Sequence, residues 1–233
     1  MRIIKIDTRG KLRTIYSPAP DEKMAGVVLN YQINKLLVEH DMYKDKIIHG
    51  FLPKRSCVTN ALQHRSKAYS LSFDLKDFFE SVMHNMVPEW MHKGFYDNAP
   101  RQGIPSSPSI ANYAALSMDG KMVQVANDLG AVYTRYADDM TFSFDNINVR
   151  QQLEWEVPLL VSLLNFEVNE KKTHFQSASR GRRIICGIGV DHSIHPTKKS
   201  KRKLRAAIHK NKKSHCRGLR EWNKLKVPGG YDG

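Results

Sequence analysis

The chain has few cysteines, no long apolar run and, between residues 171 and 220, almost no acid. Its three cysteines, Cys57, Cys186 and Cys216, are odd in number, and no two have the spacing of a metal-ligand pair. That excludes a disulfide framework and a zinc module, and it fits a reducing compartment, read here as cytoplasmic. No segment approaches the length of a membrane span, and the start, MRIIKIDTRGK, lacks the apolar stretch and cleavage site of a signal peptide, so no membrane partner is expected. Internal repeats, low-complexity tracts and obvious linkers are absent as well. At 233 residues and 41% hydrophobic content the chain suits one or two domains with a real core.

What the sequence has in excess is positive charge: 37 Lys and Arg against 23 Asp and Glu, a formal net charge of +14. The excess is uneven, with 16 basic residues and one acid, Asp191, from Lys171 to Arg220. Such a cluster is expected of a face that binds a polyanion, and nucleic acid is the favoured partner over a solubilising tail or an anionic membrane surface.

Against that background RYADDMTFS, Arg135 to Ser143, places two carboxylates side by side. Tyr136, Met140, Phe142 and Phe144 are apolar while Thr141 and Ser143 are polar, and Ala131 to Tyr136 is rich in β-branched and aromatic residues. The pattern predicts a hairpin whose tight turn carries Asp138 and Asp139. Two aspartates without a glycine make a poorer turn and a better cation site, because a hard divalent ion collects carboxylate oxygens; an ordinary polar turn is the plain alternative.

Along the rest of the chain the spacing predicts a hairpin over residues 2 to 16 with a Thr-Arg-Gly turn. A helix follows, capped by Asp21, with Met24, Val27, Val28, Tyr31, Leu36 and Leu37 on its apolar side. A second helix is expected from Val58 to Lys67, a strand ending at Asp74, and helical spacing from Phe78 to Met91. RQGIPSSPSIAN, a turn-rich segment, feeds a long helix through Ala114, Leu116, Met118 and Val123. After the YADD hairpin come a helix over Val149 to Leu164, strand-like RIICGIGV, and a basic helix from Thr197 to Lys210. Strands and helices interleave without regular βαβ alternation, which makes the class α+β. A third carboxylate, Asp74 at a strand end, could share ions with the hairpin tip. Three aspartates could then bracket two divalent metals about 4 Å apart, the arrangement of phosphoryl transfer.

Taken in order, FDLKDFF, QGIPSSPSIAN, YADD and NEKKT resemble the palm motifs of reverse transcriptases, and with NALQH (Asn60, Ala61, His64) and TRYADDMTFS the chain is most similar to bacterial retron reverse transcriptases. The resemblance runs from about Arg13 to Arg220. It implies a right-hand polymerase fold, with fingers at residues 1–70 and part of 94–112, palm with an antiparallel sheet packed on helices at 71–190, and a basic primer-grip and rudimentary thumb segment at 191–233. It implies RNA-directed DNA polymerase activity that adds dNTPs to a primer 3′-hydroxyl on an RNA template, holding an RNA–DNA duplex, with two Mg2+ ions and Mn2+ as a substitute. Asp74 and Asp138 would ligate both metals, Asp139 would assist nearby, and Leu75 would offer a backbone carbonyl. Lys172 would protonate the departing pyrophosphate. Arg13 would pair with the triphosphate, Gln102 would contact the incoming nucleotide, Gly103 and Pro105 would shape its pocket, and Phe79 would be the gate against a ribose 2′-hydroxyl. Phe79 also reads as a core phenylalanine, and Lys172 as a surface lysine. His64 is expected to be a hydrogen-bonded structural group. Cys186 to Gly189 fall where the family has its primer-grip hairpin. Arg182, Arg183, Gly187, Lys198, Lys199, Lys201, Arg202 and Lys203 would hold nucleic acid.

Relative to this family the FYDNAPR connection is short, and only a short amphipathic segment follows Arg220 in this sequence, so a truncated or absent thumb is the expectation and a fragment of a longer chain the alternative. A structured non-coding RNA, an accessory protein or a second subunit would then complete the clamp. Phage defence is implied by analogy with the family alone. The alternative, from a different functional class, is an RNA-binding module on a polymerase scaffold with little turnover; the three aspartates favour the enzyme and the shortened C-terminus favours the module.

Overall fold

The computed structural model describes residues 1–8, 11–211 and 213–231. Strands β1 (Arg2–Thr8) and β2 (Lys11–Ser17) form the expected antiparallel hairpin, with Arg2 opposite Ser17. Its turn residues, Arg9 and Gly10, lie outside the described residues. Helix α1 (Pro20–Glu39) is capped at Ala19 and not at Asp21: Pro20 takes the first helical position, where its missing N–H is no loss, and Glu22 accepts the Ala19 N–H at 2.8 Å. The expected apolar side of α1 is also corrected. Met24, Val27, Val28, Tyr31 and Leu36 are exposed; Leu37 is buried as expected, together with Gly26, Leu29 and Ile33, which were not named for that side. Apolar residues lie on both sides of this helix, and the close approach of Pro105 to Gly26, 3.1 Å from a Cβ built there, belongs to the side that faces the core.

Helix α2 (Asp41–Lys44) is a single turn, and α3 (Cys57–Gln63) stops short of Lys67. Strand β3 (Tyr69–Asp74) ends where the sequence places it. The helix expected from Phe78 to Met91 does not form. Two 3-10 turns, His84–Met86 and Glu89–Gly94, replace it, and Asp77 sits at φ 44 with Pro88 heading the second turn. Phe78, Val82, Val87 and Met91 are nevertheless buried, so their spacing reports packing of an irregular segment. The long helix is two, α4 (Ser107–Ala114) and α5 (Leu116–Asp128), meeting at Ala115. Then follow β4 (Val132–Tyr136), β5 (Asp139–Phe144), α6 (Val149–Leu163) and β6 (His174–Ser177), an edge strand too short to show its period in the sequence. Strands β7 (Arg183–Ile185), β8 (Ile188–Val190) and β9 (Ile194–Pro196) precede α7 (Lys198–His209) and α8 (Lys213–Asn223).

The central sheet has order β4-β5-β3-β6 and is antiparallel throughout; β7-β8-β9 form a separate small sheet. Both faces of the central sheet are covered, each in the way its alternation requires. Met140, Phe142 and Phe144 belong to the main apolar core with Met118 and Met122 of α5 and Leu153, Val157 and Val161 of α6. Each such buried side chain contributes about 1.5–3 kcal/mol. The polar alternates are buried too: the His64 ring, which follows α3, has Nδ1 2.7 Å from Ser143 Oγ and Nε2 2.7 Å from Thr134 Oγ1. His64 is thus the structural group expected of it, and burial pushes its pKa down to about 3. Among the described residues no helix is long and apolar enough to cross a membrane.

Candidate active site and nucleic-acid groove

Strand register brings the carboxylates together. Asp74, last in β3, pairs across the ladder with Asp139, and the Leu75 N–H donates to the Asp138 carbonyl at 2.8 Å. The turn differs from expectation by one residue. Tyr136 pairs with Asp139, so the two turn residues are Ala137 and Asp138, and Asp139 already belongs to β5. Ala137 carries φ 57, a strained value for a residue with a side chain. Gly50 lies against it, and a Cβ at Gly50 would stand 2.4 Å from the Ala137 nitrogen.

Burial first, and neighbouring negative charge second, raise the two carboxylates at this tip. Burial lifts the Asp138 pKa, with the Asp74 charge adding to it, and Asp139 is pushed up to about 6 by desolvation and then by Asp138 and Asp74. Lys172 answers part of that charge: its Nζ lies 2.6 and 2.8 Å from the two Asp74 oxygens, and this bond raises its pKa. The corner of the site therefore already holds a cation. Among the described residues no three His, Cys, Asp or Glu side chains form a ready-made metal cage. The donors that are present, the Asp74 and Asp138 carboxylates beside the Leu75 carbonyl, are hard oxygens of the type a Mg2+ ion takes from a protein when substrate phosphates complete its shell, so the residues fit such an ion.

A cleft of about 640 Å³ opens over this corner. Asp74, Leu75, Phe79, Asp138 and Lys172 line one side, and Arg13, Gln102 and Gly103 line the other. Eight residues from separate stretches of sequence thus share one cavity. The far wall is fixed by a glycine: Tyr16 N–H donates to the Gln102 carbonyl at 2.7 Å, and Gly103, at φ 101, would bring a Cβ to 2.2 Å from the Tyr16 carbonyl oxygen. That approach fastens the β1–β2 hairpin, and Arg13 with it, to the QG turn. Phe79 is half-buried: it touches the core through Phe78 (ring centroids 5.8 Å apart) and faces Phe51 across 6.2 Å, with its other side on the cleft. Pro105 is a correction, since it lies outside the cleft and packs on Gly26 of α1; Pro108 lines the cleft instead. Asp139 also lies outside the lining, at the start of β5. The sequence reading missed Phe51, Arg101 and Asn169 in the lining: Arg101 and Asn169 open the RQGIPSSPSIAN and NEKKT motifs and were passed over there, while Phe51 stands in no motif.

A second groove, about 1300 Å³, runs between the small sheet and α7. Arg182, Gly187, Lys198, Lys199, Lys201 and Lys203 line it, together with Ile184, Leu219 and Trp222, which composition did not single out. Arg182 donates to Asp191 at 2.6 Å. Arg183 is corrected: it is 1% exposed, and its guanidinium donates to the His64 and Tyr69 carbonyls at 2.6 and 3.4 Å, so it is not presented to a phosphate. Arg202 is exposed on α7 but outside the groove.

Residues 5–216 match the family described as reverse transcriptase (RNA-dependent DNA polymerase). Curated relatives include the retron Mx162 reverse transcriptase of Myxococcus xanthus, 32% identical over 88% of this chain and 51% of that protein, and the retron Ec86 reverse transcriptase of Escherichia coli, 28% identical over 95% and 74%. The chain thus spans about half the length of the first of these. Among solved structures, telomerase from Candida albicans in complex with a fragment of telomeric RNA superposes with a TM-score of 0.62 at 12% identity, covering 84% of this chain and 46% of that one, a likeness of fold.

Proposed function

The chain belongs to the reverse transcriptase family, and from that premise we propose that it is an RNA-directed DNA polymerase of the retron type, extending a primer 3′-hydroxyl with dNTPs on a structured RNA. The observation that carries the reading is the shared cleft: carboxylates, a lysine, an arginine and a glutamine converge on a space of nucleotide size. Asp74, Asp138 and the Leu75 carbonyl would hold divalent ions, Mg2+ with Mn2+ as substitute, which supply activation of the 3′-hydroxyl and charge neutralisation at the phosphates. Asp139 shapes the field beside them. The Arg13 guanidinium suits triphosphate oxygens bidentately, and Gln102 and Gly103 present polar backbone and amide groups to the nucleotide. Phe79 stands beneath the sugar and excludes a 2′-hydroxyl. Lys172, bonded to Asp74, delivers its proton to the leaving pyrophosphate. Residues 1–70 serve as fingers, 71–190 as palm, and 191–233 as the basic primer-grip and thumb segment, whose groove receives the template–primer duplex.

The test is primer extension on RNA and DNA templates with dNTPs or NTPs and with Mg2+ or Mn2+. Extension of an RNA-templated primer by dNTPs is expected, and its absence with every combination would overturn the reading. The second reading, an RNA-binding module with little turnover, is favoured by the separation of the basic groove from the carboxylate-bearing cleft, which share no lining residue. Tight RNA binding with no extension would select it.

A further inference from the structure

Behind the cleft, Arg135 and Asp119 form an ion pair with both side chains 0% exposed. Arg135 Nε donates to Asp119 Oδ1 at 2.9 Å and Nη2 to Oδ2 at 2.7 Å, while the Tyr133 hydroxyl donates to Oδ1 at 2.8 Å. The remaining nitrogen, Nη1, points toward the turn, donating at 3.0 Å to the Ala137 carbonyl and at 3.0 Å to Asn112 Oδ1. Asn112 in turn donates to the Gly50 carbonyl at 2.8 Å, and Gly50 is the residue that lies against the Ala137 nitrogen. The backbone N–H of Arg135 donates to Ile47 and its carbonyl accepts from His49, which binds the segment before Gly50 to β4.

A buried ion pair is weak grounds for stability, since well-packed apolar residues often replace one at no cost. This one does something an apolar pair cannot: it aims a charged donor at the peptide that precedes Asp138. That peptide belongs to Ala137, whose positive φ is strained and persists where the surroundings over-determine it. We propose that Arg135, neutralised by Asp119 and aimed by Asn112, is a positioning residue that clamps the strained Ala137 turn and so holds Asp138 toward Asp74 and Lys172. The function assigned to Asp138 rests on the polymerase reading; the clamp itself rests on geometry. The guanidinium is required by its fork, because two of its nitrogens face Asp119 while the third reaches the turn.

Arg135→Lys tests this, because an ammonium keeps the charge opposite Asp119 but does not reach the Ala137 carbonyl at the same time. Three readouts are taken beside a melting curve: hydrogen exchange of the peptide spanning 136–140, Mn2+ binding to the protein alone by electron paramagnetic resonance, and extension kinetics. Exchange at the turn is expected to quicken, and Mn2+ to bind more weakly, each by about tenfold or more, the factor for one charge-assisted bond. The kcat should fall with KM for dNTP little changed. A lower melting temperature with wild-type exchange and Mn2+ affinity would make the pair an ordinary core element and overturn the proposal. If Arg135→Lys does not fold, Asn112→Ala, which removes the aiming bond and leaves the ion pair, is read by the same measurements, and a wild-type turn in that variant overturns the proposal equally. A wild-type protein that extends no primer would remove the polymerase reading, while turn exchange and Mn2+ binding still decide the clamp.

Discussion

Phe79→Ala separates the two roles open to this ring. The side chain is half-buried and shares ring contacts with Phe51 and Phe78. Truncating a fully buried phenylalanine costs about 3–5 kcal/mol. With half of that surface at stake, about 1.5–2.5 kcal/mol is expected, which for a chain of this size lowers Tm by roughly 3–10 °C. The cleft side of the ring has a different consequence. If it stands beneath the sugar of an incoming nucleotide, its removal opens room for a hydroxyl, and selection against the larger ribose should fall by about 10- to 200-fold, the range seen for one steric group in a pocket. The assay is kcat/KM for dGTP and GTP on the same primed RNA, beside a thermal melt of the same preparation. The expected result is a modest loss of stability with GTP use rising relative to dGTP. A fall in Tm well beyond about 10 °C with an unchanged dGTP:GTP ratio would place Phe79 wholly in the core, and the main reason for naming dNTPs as substrate would go with it.

Replacing both Asp138 and Asp139 with Asn should abolish extension while leaving RNA binding equal or tighter, because ligands and negative charge go without a change of shape; persistent extension would refute the assignment of the acids. Neutralising Lys198, Lys199, Lys201 and Lys203, which line the groove, should flatten the salt dependence of RNA binding by about 0.7 for each phosphate no longer neutralised, whereas Arg202→Gln, outside the groove, should change it less. Equal slopes would make the helix a solvated face. His49 and His64 are buried, with pKa values held down to about 3 by desolvation. Below their unfolded value the unfolded chain binds the extra protons, so their contribution is complete above about pH 6.5 and is lost as pH falls toward 3, at about 1.4 kcal/mol per pH unit for each histidine. The raised Asp139 acts in the opposite sense as pH passes up toward 6, and the raised Asp138 acts in the same direction as Asp139, so the contribution is read as the difference between wild type and His64→Gln in denaturant titrations at pH 7, 6 and 5. Identical pH slopes in the two proteins would show that His64 is not buried neutral.

The elements that carry the candidate site were legible because they are written in contiguous residues. FDLKDFF ends a strand at Asp74, the YADD hairpin forms, and QGIPSSPSIAN turns into a helix, each from local alternation, glycine and helix-start signals that act within a few residues. The basic cluster likewise survives as a groove, because charge needs no fold to be counted. Less legible was anything that depends on which side of an element meets the rest of the chain. Helix α1 is apolar on two sides and buries the one the sequence did not favour; Phe78 to Met91 carries helical spacing without a helix; Arg183, a phosphate ligand by composition, is enclosed against two carbonyls.

Local sequence thus set the residue types of the site, their order, and the strand ends and turns that carry them. Folding had to supply the rest: the closure of the β1–β2 hairpin onto Gly103, the meeting of Lys172 with Asp74 across 98 positions of chain, and the reach of Arg135 to the turn before Asp138. The difference is one of range. Alternation, capping and turn preferences act over a few neighbouring residues, whereas a buried guanidinium or a glycine at a close approach is selected by a partner that only folding brings within about 3 Å.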